Sequence, residues 1–205
     1  MRQNRLRIIG ITGGIATGKS TVSNIIMEEG FKLIDSDEVA REVVEKDTKG
    51  LESIIRTFGN DVLDMNGTLD REKLGNIIFN DEGKRSILND ILHPLIREAI
   101  IGKVEKARVS EKVIFIDVPL LFESLEEIEE AGLEFDEIWL VYADEKTQMK
   151  RLMERDDYNP EQAISRIDAQ LDIEEKKRLA DRIIDNSGSI EHSRRQVLHF
   201  LDEYR

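Results

Sequence analysis

Short apolar runs and longer amphipathic stretches alternate along the chain. Apolar runs of a length typical of buried parallel strands occupy residues 6–11, 31–34, 112–116, 137–142 and 182–184. In the segments between these runs, apolar residues recur at helical spacing. Because strands that alternate with helices pair in parallel, the pattern predicts an α/β fold with a five-stranded parallel sheet flanked by helices.

Capping residues predict where several of the helices begin and end. Asp70 and Asp144 each precede a helical pattern as candidate N-caps, and Gly30 closes the first helix. The run from Asn159 to Gln162 combines a cap, a proline at the first helical position and a glutamine at the third, so it predicts a helix that continues to about residue 171.

A helical block at residues 36–108 separates the second predicted strand from the third. The block is too long for a simple crossover, so it predicts a lobe that covers or completes a substrate site. One long helix is expected over roughly residues 81–108, and Pro94 within it is expected to kink or split that helix. We therefore interpret residues 1–205 as one domain with an inserted helical lobe.

A glycine-rich segment follows the first predicted strand. It fits the pattern G-x-x-x-x-G-K-[ST] without a mismatch, through Gly13, Gly14, Ile15, Ala16, Thr17, Gly18, Lys19 and Ser20, with Thr21 next. Glycine lets the backbone curl so that several N–H groups point at one phosphate, while Lys19 adds a mobile charge and Ser20 a hydroxyl for Mg²⁺. The order of strand, loop and helix predicts a phosphate-binding loop for ATP; a simple connecting turn is the alternative.

Composition and charge narrow the class of protein. The chain is 40% hydrophobic and 36% charged, as in soluble globular proteins, and no run approaches the roughly 18 apolar residues of a membrane span. Its net charge of −13 argues against a surface that coats nucleic acid, but leaves room for a local basic pocket. The absence of cysteine excludes disulfides and thiol catalysis. We expect a cytoplasmic protein with small-molecule partners, no nucleic acid and no membrane; the oligomeric state stays open.

The sequence resembles the dephospho-coenzyme A kinases over most of its length. The resemblance includes the phosphate loop, where Ala16-Thr17 is a mild departure, and the Asp-x-Asp of residues 35–37. Further matches, in order, are 40–41, 58–59, 67–71, 88–89, 93–97, 117–123, 148, 151, 155–156, 166–167, 170, 180–181 and 186. The family implies a P-loop kinase core, a helical CoA-binding region at about 36–108 and a lid at about 151–175. It also implies transfer of the ATP γ-phosphate to the ribose 3′-hydroxyl of dephospho-CoA, giving CoA and ADP in the last step of coenzyme A biosynthesis.

Phosphoryl transfer depends on positioning and charge neutralisation, so we look for cations near the phosphates and a base near the acceptor. Lys19 meets the first need. Asp37 is the candidate base and acceptor contact, because it lies just past a strand's carboxyl end, where parallel sheets bind ligands, and because the family associates this aspartate with catalysis. Asp35 is the alternative base, with helix capping as its ordinary role. Asp117 occupies the place of a Walker B carboxylate and is expected to hold Mg²⁺ through water, together with Ser20; a turn aspartate is the alternative.

Arg151 and Arg155 lie one helical turn apart, after the fourth predicted strand. A solvated helix face is the usual explanation for such a pair. Comparison with P-loop kinases favours a lid that closes catalytic arginines over the transferring phosphate, with Arg155 adjoining the lid loop.

The remaining candidates concern substrate contacts. The resemblance places His93 and Arg97 in the CoA-binding region, although His93 has an alternative role in fixing the proline kink. Leu120 and Leu121 are candidates for a wall against the acceptor, and at least one of them is expected in the core. Asn186 is a candidate ATP contact at the adenine, with a helix cap or turn as the alternative.

Three other functions compete with this interpretation. A kinase for another nucleotide or nucleoside would share the loop, base and lid and would differ in the 36–108 lobe. A signalling GTPase would need an Asn-Lys-x-Asp guanine motif, which the sequence lacks. A non-catalytic nucleotide-binding module would have no reason to combine Lys19, Ser20, Asp37 and Asp117.

Overall fold

The computed structural model describes residues 5–79 and 81–205. Five strands form one sheet in the order β2-β3-β1-β4-β5, and every neighbouring pair is parallel. The strands are β1 (Arg7–Gly13), β2 (Leu33–Asp35), β3 (Val113–Asp117), β4 (Glu137–Tyr142) and β5 (Arg182–Asp185). The predicted five-stranded parallel sheet is confirmed, with strand ends that shift by only a few residues.

Helices occupy most of the segments between the strands. They are α1 (Lys19–Glu28), α2 (Ser36–Glu42), α3 (Lys49–Phe58), α4 (Arg71–Ile78), α5 (Glu82–Ala107), α6 (Leu121–Glu130), α7 (Glu145–Asp156), α8 (Pro160–Asp168), α9 (Ile173–Leu179) and α10 (Ile190–Leu201). Short 3-10 helices lie at Asn60–Val62 and Asp202–Tyr204. In the part of the chain that the structure describes, no helix has both the length and the apolar composition of a membrane span.

The predicted helix caps are confirmed. The Asp70 carboxylate accepts the N–H of Lys73 at 3.0 Å, and the Asp144 carboxylate accepts the N–H of Thr147 at 2.8 Å. Asn159 forms the predicted capping box, in which its side chain and that of residue 162 each accept the other's backbone N–H. Each cap satisfies donors that have no partner within the first helical turn.

The structure differs from the sequence analysis in three helices. The 26-residue helix α5 continues through Pro94, so of the expected kink or split the split does not occur. Helix α8 ends at Asp168, before the expected end near residue 171. Helix α6 was not predicted at all, and its N-cap residue, Leu120, gives no side-chain cap bond that could have signalled a start.

Residues 5–35 and 106–205 belong to one compact unit that contains the sheet. Its core packs β1, β3 and β4 against α1 and α10, through Ile9, Ile11, Val22, Ile25, Ile26, Phe115, Trp139, Val141, Val197 and Leu201. Strand β1 has a neighbour on both sides and is buried along nearly its whole length. The core therefore holds the carboxyl end of β1 firmly, and the phosphate loop follows at that end.

Residues 36–105 belong to a second compact unit. Helices α3, α4 and α5 contribute Ile54, Leu74 and Leu88 to its separate apolar core, which also contains Val44 and Val62. Thr48 caps α3 by accepting the N–H of Leu51, and Lys103 pairs with Glu42 at 2.8 Å. The expected helical lobe covers about residues 36–108, and its role in binding a substrate stays a prediction.

Arg182 joins the carboxyl-terminal residues to the sheet. Its guanidinium donates to Glu203 and Glu137, both at 2.8 Å, and these carboxylates, Glu203 first, raise the pKa of Arg182. The guanidinium carbon also lies 5.1 Å from the ring centroid of Phe200 and 5.5 Å from that of Trp139. The Arg182 side chain is only 16% exposed, so these interactions are poorly screened by water.

Arg182→Ala is expected to lower the free energy of unfolding by about 2 kcal/mol, because Glu137 loses a partly buried partner and the rings of Phe200 and Trp139 lose a cation. Chemical denaturation would measure the loss. The matched control is Arg85→Ala, since Arg85 forms an exposed ion pair with Glu82 and such pairs contribute little. Equal stability of the two variants would contradict the role assigned to Arg182.

Candidate active site

The phosphate loop connects β1 to α1. The Thr17 hydroxyl and the Thr17 N–H both donate to the Gly14 carbonyl, at 2.9 and 3.2 Å, and thereby close the loop on itself. Helix α1 begins at Lys19, so the backbone N–H groups of its first turn point out of the helix at the end of the loop. The strand, loop and helix predicted from the sequence are confirmed, and the helix start provides an anion-binding surface.

Two glycines of the loop cannot be replaced without strain. Gly18 has φ of 85°, and a Cβ atom there would lie 2.2 Å from Nδ2 of Asn186. A Cβ atom on Gly13 would lie 2.6 Å from the Thr17 hydroxyl and 2.9 Å from the carbonyl oxygen of Val141. The loop therefore needs glycine at these positions because other parts of the chain approach its backbone closely.

Lys19 forms an ion pair with Asp117 at the base of the loop. Lys19 donates to Oδ1 of Asp117, and the Ser23 hydroxyl donates to Oδ2 at 2.6 Å. Burial raises the pKa of the Asp117 carboxyl, and the charge and hydrogen bond of Lys19 oppose that rise only in part. Asp117 is 2% exposed. The sequence predicted Asp117, but it gave no role to Ser23.

Asp35 and Asp117 end neighbouring strands. The two residues are in register where β2 pairs with β3, and Ile11 of β1 pairs with Asp117 on the other side. The charge of Asp35 adds to the rise in the pKa of Asp117. Asp37, the predicted base, is exposed in the first turn of α2, which begins directly after Asp35. Of the two candidate bases, Asp35 is thus the last residue of β2 and Asp37 lies two residues beyond it.

Arg151 lies against the phosphate loop. Its guanidinium donates to the carbonyl oxygens of Ala16 and Thr17, at 3.3 and 3.2 Å, and to that of Asn186 at 2.7 Å. Arg155, one turn further along α7, is exposed and pairs with the adjacent Asp156, which raises the pKa of Arg155. Of the two arginines, Arg151 holds the loop and Arg155 has the freer side chain.

Asn186 supports the phosphate loop from the end of β5. Its Nδ2 donates to the carbonyl oxygen of Thr17 at 2.7 Å, and its Oδ1 accepts the Ser193 hydroxyl at 2.6 Å. Asn186 is 5% exposed. Both ends of the amide are thus bound within the protein, which favours a supporting role over the predicted contact with adenine.

The other predicted substrate contacts occupy different environments. Leu121 is fully buried and packs where Gly10 leaves room for its Cδ2 atom, so it is the core residue of the Leu120–Leu121 pair. Leu120 is 44% exposed. In the other unit, His93 and Arg97 lie one turn apart on α5, with His93 exposed and Arg97 half-buried.

Sequence reasoning gave no role to several residues beside the loop. Gln170 accepts a hydrogen bond from the N–H of Ile15 at 2.7 Å. Gln148 is buried, and its Nε2 donates a hydrogen bond to the carbonyl oxygen of Ala143. Glu123 pairs at 2.7 Å with the fully buried Lys176. Gln148, Gln170 and Glu123 all lie in segments that carry the resemblance, but no spacing pattern indicates that they meet.

Comparisons with known proteins agree on one family. Residues 7–192 match the family model described as Dephospho-CoA kinase. A dephospho-CoA kinase from Listeria innocua is 46% identical over 200 residues, which cover 97% of each chain. A solved dephospho-CoA kinase from Campylobacter jejuni has a TM-score of 0.69 and 32% identity, and covers 97% of each chain. A crystal structure from Thermus thermophilus has a TM-score of 0.77 and 30% identity, and covers 98% of this chain and 99% of its own.

Proposed function

The chain belongs to the dephospho-CoA kinase family, and from this we propose that it transfers the γ-phosphate of ATP to the ribose 3′-hydroxyl of dephospho-CoA, giving CoA and ADP. The observation that carries the proposal within this chain is the phosphate loop with Lys19 and Asp117 at its base. That arrangement supplies a phosphate-binding cation and a carboxylate at one edge of the sheet. A cytoplasmic location stays a prediction.

On the ATP side, the loop amides and Lys19 neutralise the phosphate oxygens. Lys19 already lies in a site with little water, because its side chain is 19% exposed and its partner Asp117 is buried. A charge in such surroundings interacts with phosphate more strongly than it would in water. When ATP binds, Lys19 exchanges its contact with Asp117 for a contact with the β- and γ-phosphates.

On the acceptor side, Asp37 accepts the proton of the 3′-hydroxyl. The hydroxyl oxygen then bonds to the γ-phosphorus, the bond from phosphorus to the β–γ bridging oxygen breaks, and ADP leaves. Asp37 lies exposed in the first turn of α2, and a carboxylate can take the proton of a substrate hydroxyl. Asp35, half-buried beside Asp117, stays the alternative base.

Arg155 is the proposed lid cation over the transferring phosphate. Its side chain is 60% exposed, and its one described ion pair is to the neighbouring Asp156, so the guanidinium can turn towards a phosphate at small cost. His93, Arg97 and Leu120 are the proposed contacts for dephospho-CoA, because two of them lie in the helical unit and the third is an exposed apolar side chain.

Magnesium is the proposed metal, and the oxygen donors beside the loop fit it. Asp117 offers a carboxylate and Ser20 a hydroxyl at the exposed start of α1, and Mg²⁺ prefers oxygen ligands, with one or two from protein and the rest from phosphates and water. When bound, Mg²⁺ supplies positive charge to the β- and γ-phosphates. Ser23 keeps the Asp117 carboxylate oriented by its bond to Oδ2.

We expect ADP release from ATP and Mg²⁺ to depend on dephospho-CoA and to stay near background with AMP, CMP or adenosine as acceptor. A coupled assay of ADP release measures all four acceptors at equal concentration. Turnover with a nucleotide but none with dephospho-CoA would overturn the proposed acceptor and leave the ATP site unaffected. ADP release without any acceptor would indicate a hydrolase.

A further inference from the structure

The segment that joins α8 to α9 is fastened to the phosphate loop. Gln170 lies in this segment, and its Oε1 accepts the N–H of Ile15 at 2.7 Å. Ile15 is the third residue of the phosphate-loop pattern, so one backbone donor of the loop is bound by a side chain from the predicted lid region. The bond joins two parts of the chain that are 155 positions apart.

Other residues fix the position of Gln170. The N–H of the next residue, Leu171, donates to Oε1 of Glu123 at 3.1 Å, and Nζ of Lys176 lies 2.7 Å from the same oxygen. Lys176 is fully buried, and Asp172 caps α9 by accepting two backbone N–H groups. The place of Gln170 is therefore imposed by α6 and α9, and does not depend on the loop that it contacts.

Side chains from α7 and α9 approach the residue before Ile15. A Cβ atom on Gly14 would lie 3.3 Å from Cδ1 of Ile173 and 2.8 Å from Oε1 of Gln148. The peptide that links Gly14 to Ile15 is therefore held in two ways. The side chains of Ile173 and Gln148 lie close to Gly14, and the peptide N–H donates to Gln170. This peptide sets the direction in which the following loop residues turn.

We propose that Gln170 is a positioning residue for the ATP phosphates, which holds the Ile15 peptide so that the loop keeps its binding shape before ATP arrives. A flexible loop would have to be ordered on binding, and preorganisation removes that cost from the affinity. Arg151 acts on the same loop from α7 through the carbonyl oxygens of Ala16 and Thr17. Gln170 and Arg151 therefore hold the loop through its N–H and carbonyl groups respectively.

The inference depends on the proposed function for the nature of the nucleotide, so it is tested on ATP binding alone. Gln170→Met keeps the length of the side chain and removes the acceptor. We expect its Kd for ATP with Mg²⁺, measured by calorimetry, to rise about tenfold, because the Ile15 N–H loses its partner. Gln170→Leu serves as a second variant, and thermal unfolding without nucleotide checks that both fold.

The matched control is Gln162→Met. Gln162 also accepts a backbone N–H, that of Asn159 at 3.0 Å, but it does so at the start of α8 and not at the loop. We expect its ATP affinity to match that of the wild type. In turnover assays Gln170→Met should raise the KM for ATP while the KM for dephospho-CoA stays unchanged.

Three results would overturn the inference. Unchanged ATP affinity in Gln170→Met would mean that the bond to Ile15 does not shape the loop. Tighter binding would mean that Gln170 competes with phosphate for this N–H. An equal loss in Gln162→Met would indicate general loosening of the α8 region. If the wild type binds ATP but does not phosphorylate dephospho-CoA, the proposed function fails while the comparison of affinities still decides the role of Gln170.

Discussion

Lys19→Met is expected to lower kcat by about 10³-fold, which is the effect of removing a preorganised charge from a developing transition state. The Lys19 ammonium lies at the end of the phosphate loop, in a site where its carboxylate partner is 2% exposed. Among the described residues, Lys19 is the one cation that pairs with Asp117; the other side chain bound to this carboxylate is the uncharged Ser23. Assays of ADP release at saturating ATP and dephospho-CoA measure the loss. A variant with more than about a tenth of the wild-type rate would contradict the role assigned to Lys19.

The same substitution should change stability in a way that depends on pH. Without Lys19 the buried Asp117 carboxylate has no cation beside it, so we expect a loss of about 2 kcal/mol in the free energy of unfolding at neutral pH. The folded-state pKa of Asp117 is already above its unfolded value, and losing Lys19 raises it further. Protonated Asp117 needs no cation, so the loss relative to wild type should shrink as pH falls through that raised pKa.

A double variant separates the two effects of Lys19. Lys19→Met with Asp117→Asn removes both charges, and replacing both partners of a buried pair costs far less than removing one. We expect this variant to regain most of the lost stability at neutral pH while its kcat stays low. Urea unfolding and the ADP assay on the same preparations measure the two quantities. Equal stability of the single and double variants would mean that Asp117 does not depend on Lys19.

Asp37→Asn is expected to lower kcat by about 100-fold or more, with KM values that change little, because the amide cannot accept the proton of the acceptor hydroxyl. Asparagine has nearly the same shape as aspartate, so the first turn of α2 should stay intact. Single-turnover measurements distinguish a slow chemical step from slow product release.

Asp35→Asn is the matched comparison for Asp37→Asn. Asp35 ends β2 in register with Asp117, and its charge raises the pKa of that carboxyl. We therefore expect Asp35→Asn to have the smaller effect on kcat and to lower the pKa of Asp117. If Asp35→Asn removes activity while Asp37→Asn keeps it, the base is Asp35.

The sequence predicted the sheet and the phosphate loop because both depend on local patterns. Buried parallel strands need continuous apolar runs, and a loop around phosphate needs glycines at fixed spacing, so β1 and residues 13–20 could be read directly. The helix caps at Asp70, Asp144 and Asn159 are equally local, since each bonds within its own first turn.

The contacts that shape the loop from outside could not be predicted in the same way. Gln170 reaches Ile15, and Asn186 reaches Thr17, across most of the chain. Their positions depend on how α9 and β5 pack, which no single stretch of sequence encodes. Asn186 illustrates the limit: its type suggested a ligand contact, whereas its burial and both hydrogen bonds serve the protein itself.

The order of strands in the sheet also has a consequence for folding during synthesis. Strand β1 leaves the ribosome before the other four strands, but its two neighbours are β3 and β4, which are made only after the helical unit of residues 36–105. That unit is continuous in sequence and has its own core, so it can fold while β1 is still without a partner. At roughly 5–20 residues per second, the apolar β1 waits several seconds for β3. We therefore expect chaperones to cover β1 in the nascent chain until β3 and β4 have been made.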